Sequence, residues 1–258
     1  MGIYFDNIRV DVSRIANFFN SYSLSWNYPE AQPQNEVFIN NLSVDKPYKF
    51  DGASLFVINT LPANFTASNI DCANFYTNTV VTAPWLLYLF VKTWIPVDTI
   101  NQYWKFDGFF LSEANSSNKD MINYFAMLFY TPHYRLIHPS MNNITLVDIF
   151  EVSNLGIFGI WGSFTEQVSL TNFYIKNTIT NKVVANFRFM AQINCENFTF
   201  TNTSGMPRET MSFILNMNIT MRNIHITNFE TLSPISTSII SFTGLPTSVI
   251  IIEQLYAK

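Results

Sequence analysis

Cleavage of a glycosidic bond needs two carboxylates facing one groove. The acids of this chain are dispersed, with Glu113, Asp120, Glu166, Glu196 and Glu209 falling in stretches that read as loops. Zinc ligands come as tight Cys/His sets. His133 and His138 stand five apart in TPHYRLIHP with no cysteine nearby, and read as two loop histidines. His225 sits between Ile224 and Ile226, so strand alternation points it outward. No glycine loop suited to a phosphate occurs, and no serine has a G-x-S-x-G context. The expected catalytic, cofactor and metal residues are therefore none, and the chain is read as a non-enzyme. A sugar-active enzyme drawing its acid pair from separate loops stays open.

Composition narrows the class further. Of 258 residues, 12% are charged, about half of what a soluble domain usually carries. Aromatics reach 16%, led by phenylalanine, and asparagine is abundant. A net charge of -4 gives no basic footprint for nucleic acid. The opening MGIYFDNIRV lacks the pattern of a secretory signal. The most apolar stretch, Val80 to Val97, is broken by Pro84, Lys92 and Pro96 and is too short for a transmembrane segment.

The elements that position these residues come from an internal repeat. The pattern is apolar, any, apolar, any, Asn, apolar, any, apolar. It reads IYFDNIRV from Ile3, VFINNLSV from Val37, IDCANFYT from Ile70, WKFDGFFL from Trp104 and ITLVDIFE from Ile144. It continues as VSLTNFYI from Val168, INCENFTF from Ile193, ITMRNIHI from Ile219 and VIIIEQLY from Val249. Two apolar residues at i and i+2 share one strand face. The next inward pair, at i+5 and i+7, requires one extra residue at a corner. Asn7, Asn41, Asn74, Gly108, Asp148, Asn172, Asn197 and Asn223 fill that corner, with Glu253 a poor ninth. Asn, Gly and Asp tolerate the left-handed backbone of a one-residue bend. The expectation is an all-β, right-handed parallel β-helix of about nine coils with an asparagine corner ladder, one domain over 1–258. It would be a segment of a longer protein or a stacking subunit.

Another strand per coil should follow each motif. The expected segments are Tyr22 to Tyr28, Ala53 to Asn59, Trp85 to Val91, Asn123 to Phe129, Gly156 to Gly162, Val184 to Met190, Ser212 to Asn218 and Thr237 to Thr243. On the repeat and its corner asparagines the chain resembles the pectate-lyase-like superfamily of right-handed parallel β-helices. That resemblance implies catalytic and calcium-binding carboxylates on the outside of the first sheet. The segments expected there hold no Asp or Glu, only Arg188, and the Asn-Thr-Asp and Gly-His-Gly signatures are missing. The general likeness is to a protist-type extracellular surface or filament protein.

Cys72 and Cys195 share one motif position, four coils apart. That is roughly 19 Å at the rung spacing of a sheet, beyond disulfide reach. Both are expected to be free, buried thiols. Seven Asn-x-Ser/Thr sequons occur. Asn41 and Asn197 belong to the ladder and should be buried and unmodified. Asn115, Asn64, Asn143, Asn202 and Asn218 are the N-glycosylation candidates, Asn115 first. Sequons of use imply an extracellular or cell-surface location. Runs such as WLLYLFV are apolar on both faces, so either loops or a partner should cover the outer one. The expected function is a non-catalytic structural and interaction protein, a glycosylated building block of an extracellular filament, coat or appendage. Its partners would be other protein chains, by self-stacking or through a neighbouring solenoid, with covalent N-glycans and no cofactor. The alternative is a carbohydrate-binding or carbohydrate-processing β-helix.

Overall fold

The computed structural model of the chain describes residues 2–11, 17–20, 36–45, 54–58, 64–73, 76–77, 85–90, 102–116, 127–130, 137–151, 158–161, 167–180, 185–205, 211–228, 230–231, 239–244 and 246–258. Nine long strands form the main sheet. They are β1 (Gly2–Asp11), β3 (Glu36–Asp45), β5 (Asn64–Ala73), β8 (Gln102–Ser116), β10 (Ile137–Glu151), β12 (Gln167–Thr180), β14 (Gln192–Gly205), β16 (Asn218–Thr227) and β19 (Val249–Ala257). They pair in that order, and every pairing is parallel. Two short strands extend the sheet, β6 (Tyr76–Thr77) beside β8 and β17 (Glu230–Thr231) beside β14. Sequential order in a parallel sheet means that the chain winds once around for each rung, which is a β-solenoid.

The second sheet holds the return strands, one between each pair of rungs. They are β2 (Asn17–Asn20), β4 (Ser54–Ile58), β7 (Trp85–Phe90), β9 (Met127–Tyr130), β11 (Phe158–Trp161), β13 (Ala185–Arg188), β15 (Met211–Ile214) and β18 (Ile240–Thr243). Seven overlap the segments expected from sequence. The first does not: coil one uses Asn17–Asn20, and the expected segment at 22–28 lies outside the described residues. In β13 and β15 three successive residues are buried, including the outward Asn186 and Ser212. In these two coils the outer face of the short sheet is therefore covered. The side chains of β7, β9 and β11 lie outside the described residues.

The core runs along the axis in columns set by the register. In β14 the inward residues are Ile193, Cys195, Phe198 and Phe200, all buried, and each stacks on an inward residue of β12 and β16. Aromatic rings stack down these columns, Phe173 on Phe198 at 4.6 Å and Phe187 on Phe213 at 5.0 Å. The next ring, Phe242, lies 5.2 Å from Phe213. Stacked identical neighbours are what one inward-facing period repeated in every coil produces.

One column carries an inconsistency. Ile149, Thr178 and Thr203 lie on successive rungs and are all buried. Neither threonine hydroxyl has a hydrogen-bond partner. An unpaired buried hydroxyl costs about 1–3 kcal/mol. Ile149 shows that the site accepts an aliphatic side chain. Thr178→Val should raise stability by about 1 kcal/mol, read as a higher urea midpoint at unchanged slope. An unchanged or lower midpoint would show that the hydroxyl is satisfied in solution.

Candidate functional site

The corners are the most regular polar feature of the molecule. Along the main sheet the register aligns Asn7, Asn41, Asn69, Gly108, Asn143, Asn172, Asn197, Asn223 and Gln254. Every one has a positive φ, between 52° and 77°. Left-handed backbone costs an ordinary L-residue about 1–2 kcal/mol, and asparagine and glycine bear it best. Among the described residues a second corner follows five residues later in four coils, at Asp148, Asn177, Asn202 and Asn228, again with positive φ. Each corner turns the strand while the inward alternation resumes on the far side.

Both corners carry polarised amide ladders. Each Nδ2 donates to the Oδ1 of the preceding coil: Asn41 to Asn7 at 3.1 Å, Asn69 to Asn41 at 3.1 Å, Asn172 to Asn143 at 3.2 Å. Asn197 donates to Asn172 at 2.9 Å and Asn223 to Asn197 at 2.8 Å. At Gly108 no side chain exists, and a Cβ there would lie 3.2 Å from Asn69 Oδ1. The neighbouring Asp107 takes over as acceptor for Asn143, at 2.9 Å. The second ladder runs Asn228 to Asn202, Asn202 to Asn177 and Asn177 to Asp148.

Each run thus ends, on the side toward which its Nδ2 groups donate, on an aspartate that accepts. Asp6 accepts from Asn7, Asn40 and Asn41, while Asp107 and Asp148 take the same place in the later runs. An ionised carboxylate only accepts, so it can sit at the foot of such a ladder and nowhere else in it. At the other end Asn223 Oδ1 meets His225 Nε2 at 2.9 Å. His225 is exposed, as its place between two inward isoleucines requires.

Four expectations about the corners change. The corner of coil three is Asn69, in a repeat that starts at Phe65, and Asn74 lies outside the described residues. Asp148 is a corner, but of the second ladder; coil five turns first at Asn143. The last corner is Gln254 and not Glu253, one residue later than the apolar run suggested. Glu253 instead pairs with Arg222 at 2.9 Å. The ladder asparagines are also not buried: Asn41, Asn143, Asn172, Asn197 and Asn202 are exposed, because a corner bends the chain around the outside of the core.

The sequons redistribute accordingly. Asn143 and Asn202 join Asn41 and Asn197 in the ladders. Asn218 is exposed off the ladders, its Nδ2 donating to Ala191 O at 3.3 Å. Asn64 and Asn115 lie in β5 and β8, with side chains outside the described residues. Glu113 and Glu196 lie on strands β8 and β14, not in loops. Asp120, Glu166, Glu209 and His133 lie outside the described residues, and His138 is on β10.

The two cysteines do not share a motif position. Cys195 precedes its corner by two residues, and Cys72 follows its corner by three. Four rungs still separate them, roughly 19 Å along the axis. Cys195 is a free, fully buried thiol, and burial pushes its ionisation far above the ordinary value of 9.0. The side chain of Cys72 lies outside the described residues. Above pH 9.0 the unfolded thiol ionises while the folded one keeps its proton. Its contribution to stability is complete below that pH and declines as pH rises further. Cys195 should resist thiol reagents in the folded chain and react on denaturation; rapid labelling of the native protein, located at Cys195 by peptide mapping, would contradict this.

Outward residues two after the first corner form another column. From β8 to β19 it reads Phe110, Thr145, Tyr174, Thr199, His225 and Tyr256. The Phe110, Tyr174 and Tyr256 side chains are 41%, 39% and 48% exposed. The His225 and Tyr256 rings lie 5.9 Å apart.

Compared with known protein families, curated proteins and solved structures, the chain matches none.

Proposed function

We propose that the chain is a non-catalytic structural and interaction protein, a stiff solenoid segment of an extracellular filament, coat or surface appendage. The observation that carries this is axial continuity. Nine rungs pair without a break, and polarised amide ladders run along the outside of their corners. Such a rod resists bending, because neighbouring coils are bonded through backbone and core, and also through a ladder wherever asparagines stack. Asparagine corners in stacked parallel coils are also the point of resemblance to the pectate-lyase-like superfamily. Asn218 offers a sequon clear of the ladders, which fits a glycosylated surface protein.

Other protein chains are the proposed partners. The rung of β19 leaves Ile250, Ile252 and Leu255 40–45% exposed, where Ile219, Met221 and Ile224 beneath them are buried. A further parallel rung in this register, whether of the same polypeptide or of a neighbouring solenoid, would cover them. A structure of the native assembly at side-chain resolution tests the reading. Rungs or flanks of other chains against this solenoid are expected. An isolated monomer that cleaves polysaccharide would overturn it.

A further inference from the structure

We infer that the outward column from Phe110 to Tyr256 is a docking strip for a neutral, extended, β-linked glycan chain lying along the solenoid axis. This goes beyond the rod reading and uses a side face, not the rung edges.

Spacing is the first argument. Phe110, Tyr174 and His225 stand on every second rung, with Thr145 and Thr199 between them. Rungs about 4.8 Å apart put Phe110, Tyr174 and His225 roughly 9.6 Å apart in turn, and Tyr256 follows His225 on the next rung, their rings 5.9 Å apart. A β-1,4-linked hexose chain advances about one rung per sugar, so alternate sugars would meet rings and the others threonine hydroxyls. Rings offer flat apolar area to the C–H face of a pyranose. Hydroxyls both donate and accept toward sugar hydroxyls.

The flanks are the second argument. On one side runs the exposed ladder of Asn143, Asn172 and Asn197, and on the other the half-buried Thr201 and Thr227. Across these three columns, from β8 to β16, Lys176 is the only lysine or arginine and no acid occurs. A neutral strip of amides and hydroxyls suits a neutral glycan and gives nothing to a polyanionic one. A protein interface would want contiguous apolar area at its centre, and here threonine alternates with the rings from β8 to β16.

Titration calorimetry of the folded 258-residue chain with cellohexaose tests the proposal, with oligogalacturonate of equal length as the anionic comparison. Cellohexaose should bind and oligogalacturonate should not. Tyr174→Ala should weaken binding roughly ten-fold and Tyr174→Phe by less than about three-fold, because the ring carries the contact. Tyr103→Ala, an exposed ring outside the column, should leave affinity unchanged. Absence of cellohexaose binding, preference for oligogalacturonate, or an equal loss in Tyr103→Ala would each overturn the strip. None of these outcomes bears on whether the rod assembles with other chains, so the two readings fail separately.

Discussion

Replacing Phe198 with alanine is expected to cost about 3–5 kcal/mol, the range for removing a buried aromatic ring from a core that cannot fully collapse. Phe198 is completely buried in β14. Its ring stacks on Phe173 of the preceding coil at 4.6 Å and tilts against Phe200 at 6.1 Å. Ile224 occupies the same column on the next rung. Backbone ladders on both sides hold the coils at sheet spacing, so neighbouring side chains cannot move in to fill the void. In a solenoid the loss falls on two interfaces, coil six with seven and coil seven with eight. Chemical denaturation of the variant should therefore show a lower midpoint and a broadened or split transition as the array uncouples. Phe198→Leu, which keeps most of the volume, should lose well under half as much. Equal losses for the two variants would mean that packing in this column is looser than the geometry shows.

Asn172→Val should be strongly destabilising. Asn172 has φ 56°, and a β-branched residue is a steric outlier there. The conformation costs about 1–2 kcal/mol. Its side chain also donates to Asn142 Oδ1 at 2.8 Å and Asn143 Oδ1 at 3.2 Å and accepts from Asn197. Hydrogen bonds contribute about 0.5–1.5 kcal/mol each, toward the low end where the groups are exposed. The sum for valine is about 2–4 kcal/mol. Asn172→Gly separates the two causes. Glycine keeps the backbone without strain and removes only the ladder contacts, so its loss should be about 1.5 kcal/mol. Thermal or urea unfolding of both variants reads the difference. If glycine proves as harmful as valine, the ladder and not the backbone holds the corner.

Much of the fold is legible in the sequence because inside and outside alternate with a period of two. The one-residue corner then shifts that phase in a way only a left-handed residue permits. VFINNLSV, VSLTNFYI and INCENFTF carry both signals, and their corners Asn41, Asn172 and Asn197 stand where the spacing puts them. The return strands of coils two to eight, the last of them at Ile240–Thr243, are legible for the same reason. The aromatic strip is harder to see. Phe110, Tyr174 and Tyr256 are far apart in the chain, and only the stacking of rungs makes them one column.

The sequence by itself determined the kind of structure: parallel coils, an apolar interior and asparagine at the bends. The tertiary structure decided the phase. In FTASNIDCANFYT two frames overlap five residues apart, and Ile70 and Cys72 satisfy both. In coil five Pro139 at the first inward site masks the true start, and in coil nine four consecutive aliphatic residues leave the alternation without a phase. Local pattern cannot choose between frames that bury equally apolar residues. The choice falls to the neighbouring rung, whose hydrogen bonds align Asn69 with Asn41, Asn143 with Asn172 and Gln254 with Asn223. The same alignment places the aspartates at the feet of the ladders, since only there does an acceptor without a proton meet donors alone.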